Sequence, residues 1–271
     1  MPETLQTVLK RNYHTHTYRC QHATGDCVDY ARMADRLGMG VLGFSDHTPL
    51  PDDRWGNVRM SLGEIDEYEH AVMVAREAFP GLQMLLGMEC EYVKDFHAFF
   101  EDELLGQRSY DYLIGAGHYI GLDDGWYGSF DHAVAPENLR RYVDQVIETI
   151  DCGLFVFIAH PDLYGCCNHV WNADCAKAAR DICQAAVDTD TPLELNGYGI
   201  RKPWIETPEG SRAMYPWLPF WEIAAEEQVK TIINSDAHRP EHVGHGLAEL
   251  GGMRERLGLA GIDVLERLRK R

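Results

Sequence analysis

Short apolar runs recur along the chain, each stopping abruptly at a polar or charged residue, with longer amphipathic stretches between them. Seven stand out: 11–13 into His14, 40–45 into Asp46, 83–88 into Glu89, 112–117 into His118, 154–159 into His160, 192–195 into Asn196 and 230–235 into Asp236. Between them, helical spacing marks 29–37 (Tyr30, Met33, Ala34, Leu37), 61–78, 136–150 and 173–187. Ser61 with Glu64 has the form of a capping box, and Pro136 before Glu137 suits a first helical turn. Strand and helix alternate about every 40 residues, which argues for βα units around a parallel sheet. Near-continuous apolar strands imply burial on both faces.

Seven such units predict an α/β fold, a distorted (β/α)7 barrel of the TIM type, with residues 1–271 as a single domain. In such barrels the chemistry sits at the C-terminal ends of the strands, which is where the His, Asp and Glu residues collect. Two irregular stretches, 48–60 and 200–219, follow strand ends and carry Pro, Gly, Trp and Arg, so they are the expected substrate loops. The excess of 43 acidic over 25 basic side chains, a net charge of −18, opposes binding to a phosphate backbone, so no nucleic-acid partner is expected. No run approaches the roughly 18 apolar residues of a membrane span, and the first residues lack the apolar core of an export signal. A cytoplasmic protein is expected. Its eight cysteines, scattered and without a Cys-x-x-Cys pair, read as reduced thiols.

His14-Thr-His16 puts two imidazoles at i and i+2, which in extended backbone project from one face. The same rim collects Glu89, His118, His160, Asp236 and His238, with His22 and His47 beside it. These nine residues are too many for one ion of four to six ligands, so two or three divalent metals are implied. Nitrogen and carboxylate ligands without thiolate suit Zn, Mn or Fe. Glu89, with two oxygens, is the natural bridge, while Asp236 can ligate one ion as His238 points to another. His70, His97, His132, His169, His242 and His245 lie in helical or irregular polar settings and are expected to be ordinary surface or loop residues.

The chain from His14 to about Gly246 resembles the PHP (polymerase and histidinol phosphatase) superfamily of trinuclear-metal phosphoesterases, and within it the histidinol-phosphate phosphatases. The carriers are His14-Thr-His16 with His22, Phe44-Ser-Asp46-His47-Thr-Pro-Leu-Pro51, Arg59-Met-Ser-Leu-Gly-Glu-Ile-Asp-Glu-Tyr68, Gly87-Met-Glu89, Gly117-His118-Tyr, Ala159-His160-Pro-Asp and Ser235-Asp236-Ala-His238-Arg-Pro. The resemblance implies a first metal on His14, His16, Glu89 and Asp236, a second on Glu89, His118 and His160, and a third on His22, His47 and His238. It also implies that Asn196 and Arg201 meet the substrate, with Arg201 facing its phosphate, although Gly197-Tyr198-Gly199 stands where the family has a small polar pair.

The activity so implied is hydrolysis of a small phosphate monoester, L-histidinol phosphate, by a hydroxide that bridges the first two ions and attacks phosphorus. Glu89, Asp236 and Arg201 are the expected catalytic residues. Asp52, Asp53, Trp55, Tyr198 and Trp204 are expected, from their loop positions, to meet the ammonium and imidazole of such a substrate. Three alternatives stand beside this reading. A nucleotidase or exonuclease of the same superfamily is disfavoured by the acidic charge. A metal-dependent amidohydrolase often bridges its ions with a lysine, which no strand end here supplies. A non-catalytic metal-binding protein would seldom leave positions open beside a loop-lined pocket.

Overall fold

The computed structural model describes residues 5–208 and 210–268. Its strands, in chain order, are β1 (Arg11–Asn12), β2 (Val41–His47), β3 (Gln83–Glu91), β4 (Tyr112–Ala116), β5 (Tyr119–Leu122), β6 (Gly125–Gly128), β7 (Leu193–Asn196), β8 (Ile205–Thr207), β9 (Gly210–Arg212), β10 (Lys230–Asn234) and β11 (Ala260–Gly261). Strands β1-β2-β3-β4 and β11-β10-β7 form two parallel arrays, whereas β5–β6 and β8–β9 are antiparallel hairpins. Isolated parallel bridges from Gly115 to Ile158 and from Ile158 to Leu193 connect the arrays on one side, and a bridge from Thr15 to Ala237 connects them on the other.

The expected strand at 154–159 is therefore corrected to an irregular segment that makes single bridges. Val156 and Ala159 donate to Leu113 and Gly115 of β4, and Ile158 donates to Pro192 while accepting from Glu194. The next bond in that second ladder would need an N–H from Pro192, which proline lacks. Six of the seven expected runs do pair as strands, although β1 is shorter and β2 and β3 extend past the predicted stops.

Curling of the sheet is visible in its inner face. Tyr13, Val41, Leu85, Tyr112, Val156 and Ile232 come from different strands and segments yet pack in one buried cluster. The Tyr112 ring lies across this interior and donates to the carbonyl of Tyr13 at 2.7 Å. Gly43 and Gly87 leave the space it needs, since a Cβ at either would run into the ring or its hydroxyl. A larger apolar layer fills the space between the outer sheet face and the helices.

Helices form where their start signals are. Glu64 accepts from the N–H and hydroxyl of Ser61 at 2.8 Å, and Ile65–Ala78 follows. Pro136 opens Pro136–Asp151, and Asn172 caps Ala173–Asp188. Cys27–Arg36 begins with a capping box of Asp26 and Asp29 that the sequence reading passed over.

The stretch 48–60 is irregular, with Asp53 and Trp55 both at positive φ. The stretch 200–219 is not wholly irregular, because it contains the β8–β9 hairpin. Its far end is tied to the 154–159 segment by Asp162, which is 1% exposed and whose Oδ2 accepts from the Trp217 N–H at 2.6 Å and Trp221 Nε1 at 2.9 Å. Burial raises this carboxyl to about 6, against the donors that favour its charge. The folded pKa lies above the unfolded one, so the stability this group contributes falls as pH rises from about 4 to 6. Asp162→Asn keeps an oxygen for both tryptophans and removes the buried charge. Its melting temperature relative to wild type is expected to be higher at pH 7 than at pH 4. Thermal unfolding at the two values checks this, and a variant that loses ground between pH 4 and 7 contradicts it.

Candidate metal centre

The parallel register sets the centre of the site. His47 and Glu89 are Cα partners across β2 and β3, and the sheet curl brings His14 and His16, just past β1, against both. Glu89, 1% exposed, faces imidazoles with both oxygens: Oε2 lies 3.3 Å from His14 Nε2, 3.4 Å from His16 Nε2 and 3.0 Å from His47 Nδ1, and Oε1 lies 3.0 Å from His160 Nε2 and 3.5 Å from His118 Nε2. Asp236 enters from beyond β10, with Oδ1 at 3.2 Å from His16 Nε2, 3.6 Å from His14 Nε2 and 3.3 Å from His238 Nδ1. The outer end is exposed His22, whose Nε2 lies 3.1 Å from His238 Nε2.

The outer atoms of these rings are already assigned. His22 Nδ1 faces the Cys20 carbonyl at 2.6 Å and His238 Nδ1 faces the Asp236 carbonyl at 3.2 Å. A carbonyl only accepts, so both Nδ1 atoms carry the proton and both Nε2 atoms are bare in the neutral rings. Desolvation of the ring within the cluster holds His22 low although the residue as a whole is exposed, and burial holds His238 down at about 4. The charge of His16 adds to it in each case, so the neutral form is favoured in both. Two bare lone pairs therefore point at one another across 3.1 Å. His118 Nε2 and His160 Nε2 repeat the 3.1 Å approach, with His118 Nδ1 bound to Glu91.

Two ligand atoms about 2.1 Å from a single zinc ion stand about 3.0–3.4 Å apart for bond angles between 90° and tetrahedral. Most of the site separations fall in this range, with His118–Glu89 at 3.5 Å and His14–Asp236 at 3.6 Å just beyond it. His14 Nε2, His16 Nε2, Glu89 Oε2 and Asp236 Oδ1 are also buried without a hydrogen-bond partner, a costly state that an ion among them relieves. The residues fit divalent metal. Among the described residues four compact ligand groupings form: His14-His16-Glu89, His47-Glu89-His118, His22-His47-His238 and a fourth that places Cys20 with His16 and His238.

Charge follows the same plan. Burial would raise Glu89 and Asp236, but the surrounding rings, His14 foremost, hold both well below the carboxylate range. Burial would lower His14 and His16, but Asp236 and its neighbours outweigh it, lifting His14 well above its ordinary value and His16 to about 9. Burial and the His16 charge push His47 well below its ordinary value.

A second layer of carboxylates orients the rings. Glu194, on the same face of β7 as Asn196, accepts from His14 Nδ1 at 2.9 Å, Asn234 Nδ2 at 2.8 Å, Asn196 Nδ2 at 2.7 Å and the His160 N–H at 3.2 Å. Glu91 binds His118 through its ring and its N–H. Asp46 accepts from Thr17 N–H at 2.9 Å and lies 3.6 Å from His16 Nδ1. The sequence reading missed Glu91 and Glu194; the signal was the period of two, which puts each on the face of the preceding or following site residue.

The cluster forms the floor of a cavity of about 570 Å³ walled by residues that include Arg59, Tyr119, Asp131, Tyr198, Lys202 and Tyr215. The PHP domain family matches residues 12–197, from β1 to just past β7. The chain belongs to the PHP domain family. A Deinococcus radiodurans protein named "Probable histidinol-phosphatase" is 31% identical over 264 residues, covering 95% of this chain and 96% of its own. A Schizosaccharomyces pombe protein of the same name is 20% identical over 94% of this chain and 89% of its own. The PHP fold is matched by the crystal structure of a Lactococcus lactis histidinol phosphate phosphatase complexed with zinc, L-histidinol and phosphate, at a TM-score of 0.72 and 14% identity, covering 93% of this chain and 95% of that one.

All nine ligand-type residues thus meet at one place, and the six remaining histidines stay out of it. The expected substrate contacts fare differently. Tyr198 lines the cavity, its ring stacked 4.4 Å from that of His238. Arg201 is not part of the cavity lining and donates to the carbonyls of Gly197 at 3.1 Å, Ser235 at 2.8 Å and Asp236 at 2.7 Å, bracing the loop that carries Asp236. Asn196 is 1% exposed and donates to Asp236 Oδ2 at 3.0 Å, so it too positions a ligand. Trp55 stacks at 4.1 Å behind Tyr119, Trp204 is 56% exposed, and Asp52 is bound to Arg54 at 2.6 Å; with Asp53, they lie outside the cavity lining.

Because every lone pair of Glu194 meets a donor, Glu194→Gln turns an N–H₂ against one. Affinity for zinc is expected to fall about 10- to 100-fold, the usual cost of losing an outer partner. Competition with a chelator measures it, and unchanged affinity contradicts the orienting role.

Proposed function

We propose that this chain is a metal-dependent phosphatase that hydrolyses L-histidinol phosphate to L-histidinol and phosphate. The observation that carries the metal part is the pair of bare nitrogens of His22 and His238, 3.1 Å apart at the cavity wall. The substrate part is supported by the near full-length likeness to the Deinococcus protein. We further propose that the curled sheet is a distorted (β/α)7 barrel, that residues 1–271 are one domain, and that the ions number two or three, drawn from Zn, Mn and Fe. The eight free cysteines suit a reducing cytoplasm, and no helix among the described residues is long and apolar enough to cross a membrane. Neither nucleic acid nor membrane is a proposed partner.

In this reading His14, His16, Glu89 and Asp236 hold the first ion, Glu89, His118 and His160 the second, and His22, His47 and His238 the third. When bound, the ions supply positive charge for the phosphoryl oxygens and an activated water at neutral pH. Glu194, Glu91 and Asp46 keep the rings aimed while Arg201 and Asn196 hold Asp236 in place. Tyr198 and Tyr215 wall the cavity. The local charge of the ions lets a chain of net charge −18 receive a phosphate dianion.

Phosphate release from L-histidinol phosphate by metal-loaded protein, beside a nucleoside monophosphate, a phosphodiester and an N-acyl amide, tests the substrate. Selective turnover of L-histidinol phosphate is expected, and a preference for any of the others overturns it. Glu89→Ala is expected to lose two ions and to lower kcat/KM by more than the roughly 10- to 100-fold cost of an outer partner. Wild-type turnover in that variant removes the bridge.

A further inference from the structure

Arg59 is 2% exposed and lines the cavity beside His47, Glu89 and His118. Among the described residues no carboxylate lies within ion-pair distance of it. Arg19, equally buried at 3%, shows what a structural arginine looks like in this chain: it pairs with Asp26 at 2.6 Å and Glu67 at 2.9 Å. Arg59 instead donates one Nη1 bond to the carbonyl of Thr48 at 2.9 Å, interacts with the Tyr119 hydroxyl and sits 5.1 Å from the Trp55 ring centre, while its Nε, like that of Arg19, is buried without a partner. A guanidinium taken out of water without a counter-charge is costly, and an acidic chain has carboxylates to spare.

The missing charge has a place to come from. The arginine borders the same cavity as the cluster of histidines and carboxylates, and His47, Glu89 and His118 wall that cavity with it. A planar fork of donors matches two oxygens of a phosphoryl group. Arg201 lies outside the cavity lining with three bonds to carbonyls, and Lys202, which does line the cavity, carries a compact ammonium 4.5 Å from the Tyr198 ring centre in place of a planar fork.

We propose that Arg59 is the protein's cationic contact for the phosphoryl oxygens of the substrate. The assignment rests on the phosphatase reading for its biological meaning, but not for its test. Trp55, stacked on Tyr119, covers the guanidinium from outside, so the loop 48–60 serves the site by holding this one cation in place rather than by touching the organic part of the substrate.

Zinc-loaded wild type, Arg59→Met and Arg59→Lys are titrated calorimetrically with inorganic phosphate and, separately, with L-histidinol, and their zinc content is measured. Phosphate affinity is expected to fall about 10- to 100-fold in Arg59→Met, the scale of a charge-assisted bond, and by a smaller factor of at least about threefold in Arg59→Lys. Zinc content and L-histidinol affinity are expected to stay within about twofold. Phosphate affinity unchanged in the variants, no phosphate binding in wild type, or a joint fall in phosphate, L-histidinol and zinc overturns the assignment, the last by making Arg59 a brace for Thr48. If Arg59→Met does not fold, Arg59→Lys decides alone, and wild-type phosphate affinity in it overturns the fork. Arg59-dependent phosphate binding in a protein that releases no phosphate from L-histidinol phosphate would sink the substrate reading and leave Arg59 in place.

Discussion

A buried carboxylate needs compensating charge to stay ionised, and Glu89, 1% exposed, meets imidazoles on both oxygens, with His14 foremost in holding its charge. Everything else in the site follows from keeping that arrangement. The parallel register sets His47 beside Glu89, the curl of the sheet brings His14 and His16 round to it, and His118 and His160 arrive from the strand end and the bridging segment opposite. Two of the rings are fixed by a second carboxylate, His14 by Glu194 and His118 by Glu91, while Asp46 lies 3.6 Å from His16.

That packing explains where the fold is regular and where it is not. Tyr112 fills the interior below the metal cluster, and the glycines of β2 and β3 give way to it. The 154–159 segment bridges two strands without completing a ladder with either, yet its residues are buried, so apolar contact rather than hydrogen-bond regularity holds His160 in place. Functional side chains at strand ends tolerate this because the backbone below each is anchored even where the ladder is broken.

The clustered ligand-type residues were legible in the sequence because a strand end is a one-dimensional event: an apolar run stops, and a His, Glu or Asp follows. Glu91 and Glu194 were overlooked because attention to the stop missed the period of two, which places Glu91 with Glu89 and Glu194 with Asn196. Loop residues were harder. Arg201 and Trp55 have the right chemistry for a substrate, but only three-dimensional contacts show that one braces the Asp236 loop and the other covers Arg59. The fifth strand was overstated because an apolar run records burial and says nothing of whether the neighbouring Pro192 can extend a ladder.

The central claim is that the strand ends hold a multinuclear metal centre bridged by Glu89. Anomalous diffraction at the zinc edge from zinc-loaded crystals tests it most directly. The account predicts separate peaks about 2 Å from the two oxygens of Glu89, with a further peak between His22 and His238. Zinc found only at surface histidines, or a single peak that leaves one Glu89 oxygen without an ion, would contradict it.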